Sequence, residues 1–193
     1  MSIEDKIRWD EKYKNNHPIP IEVPEVVEKF SSLATGDRAL DIASGTGRNA
    51  KFLAKNGFMV DALDISPVGL SKLDGIDNIT TYEVDLDNYK LKENFYDLIV
   101  CTYYLNRNLF PQIENALRDG GIFIFETFMH HEENTKVPSN KSFLLNKGEL
   151  EATFNNRYEL LYIHEFMDNI LCGEKAMKAS MVAKKRLSKL SNL

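Results

Sequence analysis

The chain has 193 residues, 43% hydrophobic and 27% charged, with a formal net charge of −5. That balance belongs to a globular chain rather than a disordered or membrane-spanning one, and its acidity argues against a nucleic-acid-binding face. One domain over residues 1–193 is expected, long enough to bury a core without disulfides or a structural metal. Cys101 and Cys172 are too few for a disulfide framework or a zinc site. The stretch MSIEDKIRWDEKY is charged from its fourth residue, and no apolar run reaches membrane-spanning length, so a cytoplasmic protein without a membrane partner is expected.

In chain order, residues 3–14 suit a helix, and Pro18, Pro20 and Pro24 break it before a second helix near Pro24. A first strand runs from Arg38 to Ala43. The helix after Gly47 buries Ala50, Leu53 and Ala54 and stops at Gly57, a natural left-handed terminator. Met59–Asp64 reads as a strand, Pro67–Leu73 as a helix, and Ile79–Val84 and Asp97–Thr102 as two more strands. From Leu109 to Leu117 the residues Phe110, Ile113 and Leu117 share a helical face, and Gly120 and Gly121 lead into a fifth strand, GIFIFETF. A polar loop follows from His130 to Ser142, then a short helix ending near Phe154. Two strand-like runs close the chain, Tyr158–Phe166 and Lys175–Lys185. The turn between them is too short for a helical crossover, so the pair should be antiparallel. The expected fold is α/β, a doubly wound sheet, with 1–35 as N-terminal helices, 36–128 as the core and 129–193 as loop, short helix and hairpin. The basic run KKRLSKL reads as a solvated tail.

Chemistry is concentrated in residues 39–50, ALDIASGTGRNA. Gly45 and Gly47 let backbone come close to a ligand at a helix start, and GTGRNA satisfies G-x-G-x-x-G/A with Asp64 about 20 residues on. An acid ending the second strand can accept both hydroxyls of a ribose, which many cofactors share. Asp41 lies inside an apolar strand, where a carboxylate is costly unless a positive group or backbone donors meet it. A pyrophosphate would worsen that. The amino group and sulfonium of S-adenosylmethionine would tolerate it, directly or through loop amides that Asp41 orients. Asp85, ending the third strand, is placed to accept from an adenine amino group, and nothing after the fifth strand resembles a nicotinamide-binding repeat.

The series LDIASGTGRN, DALDIS, YEVDL, YDLIVCTYYL and LRDGGIFIFETF resembles the motif ladder of class I S-adenosylmethionine-dependent methyltransferases over roughly residues 36–128. WDEKY and GTGRN are similar to the small single-domain branch that includes the tellurite-resistance methyltransferases. The resemblance implies a Rossmann-like seven-stranded sheet, mostly parallel, ending in an antiparallel hairpin. It also implies Ala43, Ser44, Gly45 and Gly47 around the methionine portion of the cofactor, Asp64 on the ribose and Ile65 against the adenine. Asp85 and the Leu86 backbone would read the adenine edge, and the Cys101 carbonyl would face the cofactor amine. Trp9 and Tyr13 are lid candidates, with a plain hydrophobic dock as the alternative. Ser44 stands where many relatives carry cysteine.

Methyl transfer from a sulfonium needs aim more than acid–base help, so a catalytic base is not required. The acceptor, a small molecule, should sit above the strand ends among Tyr103, Tyr104, Arg107, Glu126, Phe128 and His130. Arg107 could hold an anion, Glu126 or His130 could take a proton, and the tyrosines could wall the pocket or simply pack. His130, His131, Glu132 and Glu133 are adjacent and diverge, without H-E-x-x-H spacing, so no metal site is expected. A non-catalytic S-adenosylmethionine-binding protein and an NAD(P)-dependent oxidoreductase are the alternatives.

Overall fold

A computed structural model describes residues 3–15, 22–169 and 173–187. Pro18, Pro20 and Cys172 lie outside the described residues. The elements are α1 (Ile3–Lys14), α2 (Glu25–Phe30), β1 (Arg38–Ile42), α3 (Arg48–Lys55), β2 (Met59–Asp64), α4 (Pro67–Leu70) and β3 (Ile79–Glu83). They continue with β4 (Tyr96–Thr102), α5 (Phe110–Ala116), β5 (Leu117–Phe128), α6 (Glu149–Phe154), β6 (Tyr158–Asn169) and β7 (Lys175–Lys185). One sheet in the order β3-β2-β1-β4-β5-β7-β6 carries them all. Strands β1 to β5 pair in parallel, and β7 runs antiparallel between β5 and β6.

Two apolar layers cover the sheet. Val26, Val27, Ala50, Leu53 and Leu70 bring α2, α3 and α4 to one face, and Ile113, Ala116, Leu150 and Phe154 bring α5 and α6 to the other. Strand β4, buried along its whole length, reads as a continuous apolar run because both its faces are covered. The strand order turns back between β1 and β4. In open α/β sheets ligands bind in the crevice at that point, beyond the carboxyl ends of the strands.

Several boundaries depart from expectation, and four of the departures have a local reason. β1 stops at Ile42 because Ala43 takes a left-handed φ of 55°. The α-helix after Pro67 ends at Leu70 and tightens into a 3-10 turn over Ser71–Leu73. Leu117 leaves α5 and opens β5 opposite Tyr96, ahead of a register shift before Leu98 and a Gly120 at φ 78°. The basic run KKRLSKL begins inside β7: Lys185 Nζ donates to the Leu117 carbonyl at 2.7 Å, and Arg186 Nε donates to the Tyr158 carbonyl at 3.1 Å.

Candidate active site

The turn from β1 into α3 is left-handed at Ala43, Gly45 and Gly47. A Cβ on Gly45 would lie 2.7 Å from the Tyr13 hydroxyl, so this glycine lets the tyrosine close over the loop. A Cβ on Gly47 would meet Leu73 Cδ2 at 2.2 Å, so this glycine lets the loop pack on that leucine.

Asp41 is fully buried, and its donors belong to the protein: the Ala50 amide at 3.0 Å and Asn49 Nδ2 at 3.3 Å. The carboxylate faces the start of α3, so of the two expected ways of meeting it, backbone donors or a positive group, the protein supplies a backbone donor. Burial pushes its carboxyl up to about 7 against the pull of Asn49 and Ala50. Asn49 Nδ2 also donates to Thr102 Oγ1 at 3.0 Å, tying the loop to the end of β4.

Asp64, at the tip of β2, accepts from the Gly45 amide at 2.8 Å and from the Ser66 amide at 2.8 Å. Burial raises its pKa against those amides, and Asp10, whose carboxylate accepts from Ser66 Oγ, adds to the rise. The Ile65 amide also bonds this carboxylate, and since an ionised carboxylate offers about four lone-pair positions, about one remains for a hydroxyl donor. Helix α1 covers this corner. Tyr13 is buried over Gly45 and Gly69, and burial followed by the Asp64 charge keeps its phenol protonated. Trp9 stacks on Tyr13 at 5.6 Å between centroids, with Lys12 Nζ 4.4 Å from the indole. Of the two lid candidates, Tyr13 lies over the glycine loop as a packing residue and Trp9 stacks on it.

Two buried side-chain oxygens near this loop, Ser44 Oγ and Asn49 Oδ1, have no hydrogen-bond partner. Each such group costs about 1–3 kcal/mol if left unmet, so a polar ligand at the loop would relieve a real penalty. Orphaned oxygens, an acid with a lone-pair position to spare and a left-handed glycine turn together fit an adenosyl amino-acid cofactor.

On the adenine side, Ile65 and Leu86 are buried. Asp85 accepts from the Asp87 amide at 3.0 Å and from Asn88 Nδ2 at 2.7 Å. Cys101 is buried at the end of β4 with Sγ 3.4 Å from the Tyr104 carbonyl, and burial, then Asp41, pushes its thiol well above the ordinary range. That leaves its carbonyl as the group able to serve a ligand.

The acceptor edge is a side-chain network. Tyr103 Oη donates to Glu126 Oε1 at 2.7 Å and accepts from Lys178 Nζ at 2.8 Å. Ser180 Oγ donates to Glu126 Oε2 at 2.6 Å, and Lys178 Nζ reaches Asp168 Oδ2 at 2.5 Å. Phe128 packs on Tyr103 at 5.2 Å, and the Arg48 guanidinium lies 4.8 Å from the tyrosine ring. Tyr104 is half-buried and packs against the apolar layer on the α5 side of the sheet. Arg107 is drawn elsewhere: it bonds Glu149 at 2.6 and 3.0 Å and the carbonyls of Ser142 and Leu144. The guanidinium ties down the loop before α6. His130 lines a separate open cleft of about 580 Å³ with His131, Asn134 and Lys141. Among the described residues no three His, Cys, Asp or Glu side chains gather to hold a metal, and no helix is long and apolar enough to cross a membrane.

Sequence reasoning missed Asp10, Asn49, Lys178, Ser180 and Asp168. One signal was available for two of them: Ala176, Lys178, Ser180 and Val182 alternate on one side of β7, and a lysine among buried neighbours at period two is unusual.

Residues 1–176 match the family model for the tellurite resistance protein TehB. Over 116 residues the chain is 25% identical to the sarcosine/dimethylglycine N-methyltransferase of Aphanothece halophytica, a match covering 53% of this chain and 42% of that protein. The chain therefore spans less than half the length of this curated relative. TehB from Haemophilus influenzae aligns with a TM-score of 0.73 at 24% identity, covering 92% of this chain and 67% of that one. An S-adenosylmethionine-dependent methyltransferase from Mesorhizobium loti aligns with a TM-score of 0.65 at 19% identity, covering 82% and 95%. The chain belongs to the tellurite resistance protein TehB family, and its sheet is the one on which S-adenosylmethionine-dependent methyltransferases are built.

Proposed function

We propose that this protein transfers a methyl group from S-adenosylmethionine to a small-molecule acceptor by in-line displacement. The observation that carries the reading is the glycine-loop corner, where Asp64 keeps a lone-pair position to spare and the buried Ser44 Oγ is unpartnered. Ala43, Ser44 and Gly45 would hold the methionine portion, Asp64 the ribose hydroxyls, Ile65 the adenine face, and Asp85 with the Leu86 backbone the adenine edge. The Cys101 carbonyl would take the amine, and Tyr13 with Trp9 would close the site. When bound, the cofactor supplies an activated methyl group with its leaving group built in. The chain's own contribution is aim, because near-attack positioning can supply about 7–11 kcal/mol, whereas a general base adds about 10²–10⁴-fold. The curated relative's name supports a small acceptor, since sarcosine and dimethylglycine are small amines.

Calorimetric titration with S-adenosylhomocysteine, and in parallel with NAD, tests this reading. Micromolar binding of the homocysteine compound and none of NAD is expected. The reverse outcome would return the loop to the dinucleotide class.

A further inference from the structure

Where the carboxyl ends of β4 and β5 meet the amino-terminal half of the antiparallel β7, a glutamate, a tyrosine and a lysine are wired together, and their exposures differ in an informative way. Glu126 and Ser180 are buried, whereas Tyr103 and Phe128 are only half-buried. A molecule arriving above the sheet can therefore touch the tyrosine. It reaches the carboxylate only through it. Tyr103 is also fixed twice to the same partner, by its hydroxyl on Glu126 Oε1 and by its amide on the Glu126 carbonyl at 2.7 Å. It adopts a left-handed φ of 60°, a conformation a bulky side chain keeps only where its surroundings over-determine it, and one that recurs at functional positions. Lys178 holds the phenol oxygen from the other side and lies 4.8 Å from the centre of the Tyr103 ring and 5.8 Å from that of Phe128. Register makes the assembly: β5 and β7 pair Glu126 with Ser180 and Phe128 with Lys178.

We infer that Tyr103 and Glu126 form a proton-taking relay that selects acceptors carrying a proton on the attacking nitrogen, oxygen or sulfur. The inference rests on the methyltransferase reading above. As the acceptor atom forms its bond to the methyl carbon, the carbon–sulfur bond breaks and its electron pair goes to the sulfonium sulfur. The acceptor's proton passes to Tyr103 Oη while the proton already on Oη passes to Glu126 Oε1. One positive and one negative charge are cancelled, and no other reactant is needed. Lys178 is a positioning residue, since it keeps the phenol aimed at Glu126 and touches the acceptor only through Tyr103. An oxyanion such as selenite or tellurite attacks through a lone pair on its central atom, which carries no proton, so this relay offers it no advantage.

The test uses the full chain and three readouts. First, S-adenosylhomocysteine affinity is measured by calorimetry for wild type, Tyr103→Phe, Glu126→Gln and Lys178→Met. Equal affinities are expected; failure of the wild type to bind removes the methyltransferase reading and the relay with it, whereas loss confined to the variants places these residues in the cofactor site and overturns the relay alone. Second, ¹³Cζ-tyrosine NMR follows Tyr103, assigned by its absence in Tyr103→Phe. Its resonance should move in Glu126→Gln and Lys178→Met and return in Lys178→Arg; an unmoved resonance overturns the wiring. Third, homocysteine-product release is followed with mercaptoethanol, p-cresol, benzylamine, selenite and tellurite. Turnover of at least one proton-bearing probe is expected, with kcat lowered about 10²–10⁴-fold in Tyr103→Phe and Glu126→Gln and KM little changed. Turnover of the oxyanions alone, turnover of no probe, or full activity in Glu126→Gln would each overturn the proposal.

Discussion

The carboxyl edge of the sheet holds two polar clusters built in different ways. Around Gly45 the donors are mainly backbone amides: those of Gly45 and Ser66 meet Asp64, and that of Ala50 meets Asp41. Above β4, β5 and β7 most of the contacts join side chains whose positions in the chain differ by as much as 75 residues. A backbone donor is present whatever the residue, so the first cluster depends on the path of the chain and on very few side chains. The second depends on strand register and on every member keeping its own functional group. The first cluster should therefore fail through glycines and acids, and the second through single side-chain truncations.

The largest expected effect falls on the loop itself. Gly47→Val places a Cβ 2.2 Å from Leu73 Cδ2 at a φ of 76°. Overpacking costs about 1–3 kcal/mol and a left-handed branched residue about 1–2 more, so urea unfolding should show roughly 3 kcal/mol or more of lost stability. A midpoint equal to wild type would mean that Leu73 moves aside and that backbone path does not control this cluster. Next comes Asp64→Ala, which should weaken S-adenosylhomocysteine binding by about 1.5–3 kcal/mol if the acid accepts ribose hydroxyls. Unchanged calorimetric affinity would confine Asp64 to holding the Gly45 and Ser66 amides.

The same contrast explains what could be read from the sequence. Alternation of apolar runs and amphipathic segments pointed to the doubly wound sheet, and the short span expected between the runs Tyr158–Phe166 and Lys175–Lys185 pointed to the antiparallel β6–β7 pair. Asp64 and Gly45 could be singled out because each belongs to a local pattern of strand end, turn and helix start. Gly47 could not be separated from Gly45 in role, because its neighbour Leu73 arrives from 26 residues further on. Leu117 kept its apolar spacing while leaving the helix, since periodicity does not register a backbone that straightens at a bulge. Glu126 was a candidate from its place at the end of β5, but its partner Ser180 is 54 residues away and is set only by pairing. Arg107 was a candidate for the acceptor because it follows β4, and only packing of α6 turns it toward Glu149.

Two smaller effects sharpen the second half of the comparison. Ser180→Ala removes a buried donor from Glu126 and should cost about 1–2 kcal/mol in urea unfolding while leaving S-adenosylhomocysteine affinity unchanged. A neutral result would show that Tyr103 alone satisfies the carboxylate. Arg107→Met should cost less, about 1 kcal/mol or below, although it breaks a two-pronged contact to Glu149 and two bonds to carbonyls. The guanidinium side chain is 41% exposed, so water replaces much of what is lost. Local order should suffer more than global stability. Hydrogen exchange at the Leu144 and Leu145 amides, which accompany the loop into its bridge with Met129, is expected to quicken while exchange in β4 stays at the wild-type rate. If β4 quickened equally, the tie would belong to the core and the acceptor edge would be one cooperative unit with the glycine loop.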